Sequence, residues 1–229
     1  MSDPFRIGFV LFPNIMQLDM TGPPEVLAQL PGAEIHLVWK TREAVKAGSG
    51  LTMLPTTTFA ECPQLDLICV PGGGGMNALL TDVETLDFVR RQAERARYVT
   101  SVCTGSLVLG AAGLLRGKRA ATHWMSMDML AAFGAIPVGD RVVVDGNIIT
   151  GGGVTAGIDF GLRVAAEIAG EETARAIQLG IEYDPHPPFD SGHPRSADPQ
   201  LVEKARTLAK ARQTERQAQV EKAAAALRR

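Results

Sequence analysis

The chain has 229 residues, of which 45% are hydrophobic, and a formal net charge of −2 at pH 7. This length and apolar content predict one large domain, or one domain with an appendage, and the near-neutral charge argues against a nucleic-acid-binding protein. No apolar run is long enough for a membrane span, and the N-terminus lacks a signal-peptide layout. The three cysteines have no metal-like spacing, so we expect no disulfide framework, no zinc site and a location in the reducing cytoplasm.

The first apolar run and the segment behind it predict a strand followed by a helix. Residues 6–12 are almost continuously apolar, as is typical of a central parallel strand covered on both faces. Thr21 or Gly22 is expected to cap the next helix, which has a proline in its first turn and runs to about Leu30. Asp19 is therefore predicted to lie just past the strand, at the edge of the sheet where α/β proteins bind ligands.

A glycine-rich segment follows the third predicted strand. The second strand is expected over residues 34–40, an excursion of short strands over 41–61, and a third, buried strand over 65–70. Residues 71–75 are one proline and four glycines, but neither their spacing nor the residues behind them fit a nucleotide-binding loop. They indicate either a tight turn or a backbone that approaches a ligand and offers it bare N–H groups. An amphipathic helix is predicted over residues 82–97.

The next strand and helix meet at a cysteine. Residues 98–102 are a short β-branched run, and a helix is predicted behind it to about Leu115. The turn between them holds Cys103, Thr104 and Gly105. A nucleophile with a small residue behind it at a strand-to-helix turn is typical of a nucleophile elbow, where the helix N-terminus favours a thiolate. The alternative is a buried structural cysteine.

The remaining elements continue the alternation of strands and helices. Residues 120–124 are predicted to form a short strand that ends in a His-Trp pair, and residues 125–133 a helix. Residues 142–150 predict a hairpin with an Asp-Gly turn. Two helices follow, over residues 155–169 and 171–183. This order of elements predicts a parallel sheet wrapped by helices.

We therefore expect a main domain over residues 1–183, a proline-rich connector over residues 184–199 and a C-terminal helix over residues 200–229. The helix carries eight Lys or Arg and three Glu, a composition usual for a solvated face. Only its first turns have a clear apolar stripe, and we expect that part to dock on the domain or on a partner subunit. The stripe consists of Leu201, Ala205, Leu208 and Ala209.

A cysteine nucleophile needs a proton donor or acceptor and N–H groups that stabilise developing charge. Asp19 and His123 are the candidates for proton transfer, because the strand before Asp19 can neighbour the elbow strand in a doubly wound sheet. The apolar residues around Asp19 would raise its pKa by desolvation, and a nearby thiolate would raise it further. Asp19 could instead be a helix-start residue, His123 a packed histidine and Thr104 only a helix cap.

These motifs together resemble the DJ-1/PfpI superfamily. The motifs that carry this resemblance are Asp19 behind the first strand, residues 71–75, the Cys103 elbow and residues 122–124. The resemblance covers about residues 5–183. It implies a class I glutamine-amidotransferase-like fold, which is a flavodoxin-like, doubly wound, mostly parallel α/β sheet flanked by helices, here with a C-terminal helical extension. It also implies a homodimer with no metal and no organic cofactor.

Within the superfamily, residues 17–23, 100–106 and 150–159 are most similar to the bacterial isocyanide hydratases. Many members carry a Glu where this chain, like those hydratases, has Asp19, and this difference weakens a protease, chaperone or glyoxalase interpretation. The resemblance implies a hydro-lyase that adds water to an isocyanide, R–N≡C, and releases an N-substituted formamide.

The residue chemistry fits that reaction. We hypothesise that the Cys103 thiolate attacks the isocyanide carbon to give a covalent thioimidate, with Asp19 as general acid and base. His123 is a candidate supporting residue. The residues expected to hold the substrate or its developing charge are Gly72, Gly73, Thr104 and Val154.

Other functions would use the same motifs. The Cys-Thr-Gly and Thr-His-Trp motifs also resemble the ligand-sensing domain of AraC-type transcription factors, but residues 200–229 are too short for the paired helix-turn-helix of those proteins. We therefore expect no nucleic-acid partner. A redox sensor or stress chaperone would use a readily oxidised Cys103. A hydrolase or lyase acting on a nitrile or an amide is a further alternative.

Overall fold

The computed structural model describes residues 3–228. Residues 1, 2 and 229, which the predicted domain bounds include, lie outside the described part. The strands are β1 (Phe5–Val10), β2 (Ala33–Trp39), β3 (Val45–Lys46), β4 (Thr52–Met53), β5 (Thr57–Thr58), β6 (Leu67–Val70), β7 (Tyr98–Val102), β8 (Arg119–Ala120), β9 (Ile136–Pro137), β10 (Val142–Asp145) and β11 (Ile148–Gly151). The helices are α1 (Gln17–Leu27), α2 (Met76–Leu79), α3 (Val83–Ala93), α4 (Gly105–Ala111), α5 (Ala156–Ala169), α6 (Glu171–Gly180) and α7 (Pro199–Leu227), with a 3₁₀ segment over Trp124–Phe133.

Seven strands form the central sheet in the order β10-β11-β7-β6-β1-β2-β5. All neighbours pair parallel except the β10–β11 hairpin, which is antiparallel. The predicted doubly wound, mostly parallel fold with a C-terminal helix is therefore confirmed. The expectation that β1 neighbours β7 is wrong, because β6 lies between them.

The direction of the crossovers places the helices in two layers. From β1 the chain moves to β2 on one side, whereas from β6 it moves to β7 on the other. Since crossovers between parallel strands are right-handed, opposite directions put the connecting helices on opposite faces. Accordingly, α1, α5 and α6 pack together, and α2, α3 and α4 form a second group. The strand order reverses between β1 and β6, and such a switch point opens a crevice at the carboxyl ends of the strands.

Helix α1 begins earlier than predicted. It starts at Gln17, behind an N-cap at Met16 without a side-chain hydrogen bond, and contains both Pro23 and Pro24. The Met16 N–H donates to the carbonyl of Gly72 at 2.9 Å, so a tertiary contact rather than a cap sets the start of the helix. Asp19 consequently lies inside the first turn of α1.

Two elements behind the elbow are shorter than predicted. Helix α4 ends at Ala111 instead of reaching Leu115. The strand expected over residues 120–124 is limited to β8, and the chain enters its 3₁₀ segment at Trp124. The strand is short because the Ala121 N–H donates to the side-chain hydroxyl of Thr150 on β11 and not to a backbone carbonyl.

The C-terminal helix α7 docks through the half opposite to the one expected. Leu201 and Leu208 in its first turns are exposed. The buried residues, apart from Ala209, lie towards the C-terminus and are Arg216, Val220, Ala223 and Ala224. Small side chains there allow α7 to pack closely on α2, α4 and the 3₁₀ segment. Among the described residues, no helix has both the length and the apolar character needed to span a bilayer.

The elbow depends on a close backbone contact at Gly105. A Cβ atom at this position would overlap the carbonyl oxygen of Val70, at the end of β6. We predict that Gly105→Ala lowers the free energy of unfolding by about 1–3 kcal/mol, the usual cost of overpacking. Helix propensity alone would favour alanine at position 105. A loss of stability in the variant would therefore be due to the close contact with Val70.

Denaturant unfolding checks this prediction. Gly192→Ala is the control, because an added Cβ at Gly192 meets no atom within 4 Å. Equal stability of both variants would contradict the role of Gly105.

Candidate active site

Cys103 occupies a strained turn between β7 and α4. Its φ of 54° is in the left-handed region that non-glycine residues rarely adopt. Its N–H donates to the carbonyl of Gly151 at 3.1 Å, and its carbonyl accepts from the hydroxyls of Thr122 at 2.9 Å and Ser106 at 3.3 Å. Three contacts from different parts of the chain therefore hold the strained conformation, which is the geometry of the predicted elbow.

The glycine loop behind β6 binds the site residues themselves. The Gly72 N–H donates to Oδ2 of Asp19 at 3.0 Å, and the Gly73 N–H donates to Oγ1 of Thr104 at 3.2 Å. Of the two interpretations of residues 71–75, the one with bare N–H groups is therefore wrong for Gly72 and Gly73. A Cβ on Gly72 would lie 2.6 Å from the Thr104 nitrogen and 2.8 Å from Asp19 Oδ2, so only glycine fits between them.

Asp19 is fully buried and poised to exchange a proton near neutral pH. Its Oδ1 atom has no hydrogen-bond partner within the described part of the chain. Burial raises the pKa of Asp19 to about 7, against the opposing effects of the Gly72 N–H and the Cys103 side chain. The predicted rise by desolvation is confirmed. The effect of Cys103 has the opposite sign, because the thiol stabilises the carboxylate and does not repel it.

Burial disfavours the ionised form of Cys103. The residue is 5% exposed, and burial raises its pKa well above that of a free cysteine. The negative charge of Asp19 raises it further, whereas the Thr104 N–H lowers it. Desolvation therefore opposes the ionisation of the sulfur that the elbow was expected to favour. Cys103 and Asp19 are instead a coupled pair of acids that titrates as a unit.

His123 is a neutral hydrogen-bonding residue. Its Nδ1 accepts from the Met125 N–H at 3.3 Å and caps the 3₁₀ segment, and its ring stacks on Trp124. Burial lowers the pKa of His123 to about 4, helped by the charges of Arg216 and Arg212. Because Nδ1 is occupied as an acceptor, Nε2 carries the proton and can only donate. This geometry supports a structural or donor role over that of a base.

A cavity of about 110 Å³ opens beside the Cys103 sulfur. Four other predicted residues line it, namely Gly73, Thr104, His123 and Val154. Asp19 and Gly72 do not line it and lie behind the cysteine. Within residues 3–228, no group of three or more His, Cys, Asp or Glu side chains could hold a metal ion. The cavity therefore gives a small molecule access to Cys103, whereas Asp19 lies behind the cysteine and away from the cavity.

The C-terminal helix supplies residues that the sequence analysis did not identify. Arg212, Gln213 and Arg216 of α7 line the same cavity. Arg216 is 4% exposed, although its helix is rich in charge along its whole length. The sequence signal was the run of alanines at 223–226, which predicts close packing of this half of α7. The arginine lies about two helical turns before Ala223 and therefore on the same, buried face.

Comparison with known proteins agrees with this geometry. A model of the DJ-1/PfpI family matches residues 5–167. The chain is 61% identical over 204 residues to an isonitrile hydratase from Pseudomonas putida, which covers 89% of this chain and 90% of that protein. It is 33% identical over 191 residues to the HTH-type transcriptional regulator GbdR from Pseudomonas aeruginosa, covering 80% of this chain and 52% of the regulator.

A solved structure extends the similarity over nearly the whole chain. The crystal structure of a THiJ/PfpI family protein from Pseudomonas syringae superposes with a TM-score of 0.93 at 43% sequence identity. The match covers 96% of this chain and 91% of that one, and so includes the C-terminal helix as well as the sheet. The chain belongs to the DJ-1/PfpI family.

Proposed function

We propose that the protein is an isocyanide (isonitrile) hydratase, which adds water to R–N≡C and releases the formamide R–NH–CHO. The observation that carries the proposal is a cysteine held on a strained elbow, lining a small cavity, with an acid of pKa about 7 behind it. The 61% identity to an isonitrile hydratase over 90% of its length supports the same activity. The regulator GbdR is a weaker guide, since the match spans only half of it.

In the first step, Cys103 adds to the substrate. The carboxylate of Asp19 takes the thiol proton and passes it to the isocyanide carbon while the sulfur bonds to that carbon. The product is a thioimidate, R–N=CH–S, which contains every atom of the thiol and the isocyanide. The resting thiol therefore needs no prior ionisation, because deprotonation and attack are coupled through Asp19.

In the second step, water releases the product. Water bonds to the thioimidate carbon, and Asp19 takes one of its protons and delivers it to the nitrogen. The resulting R–NH–CH(OH)–S adduct collapses to R–NH–CHO as the carbon–sulfur bond breaks. The second proton of the water returns to the sulfur, so that Cys103 and Asp19 regain their resting states.

Thr104, Gly73 and Val154 are proposed to hold the substrate. The Thr104 hydroxyl accepts from the Gly73 N–H and can therefore donate its own hydrogen into the cavity. The half-buried Val154 side chain provides an apolar wall. Gly72 acts through Asp19, whose Oδ2 it binds.

We further propose that the enzyme is a homodimer of the cytoplasm. The dimer rests on the superfamily resemblance. The compartment is supported by the cysteines, since Cys62, Cys69 and Cys103 are all free thiols.

The first prediction concerns the nucleophile. Cys103→Ala should lower hydration of an aryl isocyanide at least about a thousandfold, because no thioimidate can form. Absorbance assays follow formamide production, and mass spectrometry follows the covalent adduct. Cys62→Ala is the matched control, since Cys62 lies away from the cavity.

Formamide made at the normal rate by Cys103→Ala would contradict the mechanism. Peroxide sensitivity of Cys103 in a wild-type protein that hydrates no isocyanide would favour the redox-sensor alternative.

The second prediction concerns Asp19. Asp19→Asn keeps the size of the side chain and removes the proton acceptor, so kcat should fall about 10²–10⁴-fold. In the wild type, kcat/KM should rise with pH through about 7, because the carboxylate form of Asp19 must take the thiol proton. A wild-type profile that is flat between pH 5.5 and 8.5, or a residual Asp19→Asn activity with the same rise, would contradict this role.

A further inference from the structure

Arg216 is a buried cation without an acidic partner. Its Nε donates to Asn77 Oδ1 at 3.0 Å, and its Nη1 donates to Ser126 Oγ at 2.9 Å. Among residues 3–228, no Asp or Glu forms an ion pair with it. An arginine stays protonated in proteins, and a buried charge without compensation is costly. Arg216 therefore requires negative charge from another source.

The largest compensating effect on the Arg216 charge comes from Cys103, a member of the Cys103–Asp19 pair. Arg216 and Cys103 line the same cavity, and each affects the ionisation of the other. A pair that holds one proton carries one negative charge, whichever of its two members keeps the proton. That charge is equal and opposite to the charge of the guanidinium.

We propose that Arg216 is the counter-ion of the Cys103–Asp19 pair, a positioning residue by which α7 holds the pair in its reactive one-proton state. The consequence for catalysis rests on the proposed function, whereas the electrostatic coupling itself does not. In this arrangement the guanidinium has an electrostatic role. It acts through the sulfur, and its two hydrogen bonds to α2 and the 3₁₀ segment fix its position.

The other charged or titratable groups around the pair do not replace Arg216. Arg212 lines the cavity and helps to lower the pKa of His123, but it is exposed, so solvent weakens the effect of its charge relative to that of the buried Arg216. Glu215 is exposed and negatively charged, so it partly offsets the charge of Arg216 but cannot stabilise the negatively charged pair. His123, at the start of the 3₁₀ segment, is neutral because burial and the two arginines lower its pKa. Cys69 on β6 is fully buried, and burial raises its pKa to about 12, so it stays neutral.

The test is the rate at which iodoacetamide alkylates Cys103, followed by mass spectrometry of its peptide between pH 6 and 10. Removal of an opposite charge beside a thiol shifts its pKa by at least about one unit. Arg216→Gln should therefore slow alkylation at pH 7.5 about tenfold or more and move the rise of kcat/KM to higher pH. Arg216→Lys keeps the charge and should restore the rate to within about threefold of the wild type. Lys204→Gln, which removes an exposed charge of the same helix that does not line the cavity, should leave the alkylation profile in place.

A second variant tests the inference without removing the arginine. Ser126 Oγ donates to Gln213 Oε1 at 3.3 Å, so Gln213→Glu keeps this acceptor and places a carboxylate beside the guanidinium. The carboxylate would compete with Cys103 for the charge of Arg216, and alkylation should slow in the same direction.

Three results would overturn the proposal: an alkylation profile of Arg216→Gln that superposes on the wild type, an Arg216→Lys variant as slow as Arg216→Gln, or an unchanged Gln213→Glu profile. If Arg216→Gln does not fold, Gln213→Glu decides. The absence of isocyanide hydration in the wild type would refute the proposed function alone, because alkylation measures the coupling independently.

Discussion

The structure depends on one proton shared between two buried acids. Desolvation raises the pKa of both Cys103 and Asp19, and the negative charge of Asp19 raises that of Cys103 again. Burial therefore favours the protonated form of both groups, and Asp19, with a pKa of about 7, exchanges its proton near neutral pH. Water is largely excluded, so the proton moves between sulfur and carboxyl at low cost in solvent reorganisation. A cysteine that attacks while its proton passes to the acid makes use of this balance.

The sheet topology brings these two acids together. Asp19 follows β1 and Cys103 follows β7, yet β6 separates the two strands. The loop behind β6 must therefore leave enough space for the side chains of Asp19 and Cys103 to approach each other. Gly72 fulfils this condition, because a Cβ would collide with both Thr104 and Asp19, and its N–H is used to orient the acid. Gly105 allows the equally close approach of α4 to the end of β6.

The C-terminal helix belongs to the site as much as the sheet does. Small residues in its second half let α7 pack against α2 and the 3₁₀ segment, and this packing brings Arg216 to the cavity wall. A positive charge in that place offsets the desolvation that otherwise disfavours the reactive ionic state. The domain thus provides the two acids, and the extension provides the charge that balances them.

The sequence alone determined the elements and the chemistry that are local in the chain. The apolar run before Asp19, the β-branched run before Cys103 and the hairpin over residues 142–150 predict their structures because hydrophobic periodicity and turn residues act within a few positions. The elbow and the candidate acid were identifiable for the same reason. Only the tertiary structure decided which strand lies between them, since strand order depends on contacts distant in sequence. It also decided the start of α1, the use of the Gly72 N–H and the burial of Arg216. The sign of each influence on the Cys103 proton is likewise a tertiary property, because desolvation and charge act through space and not along the chain.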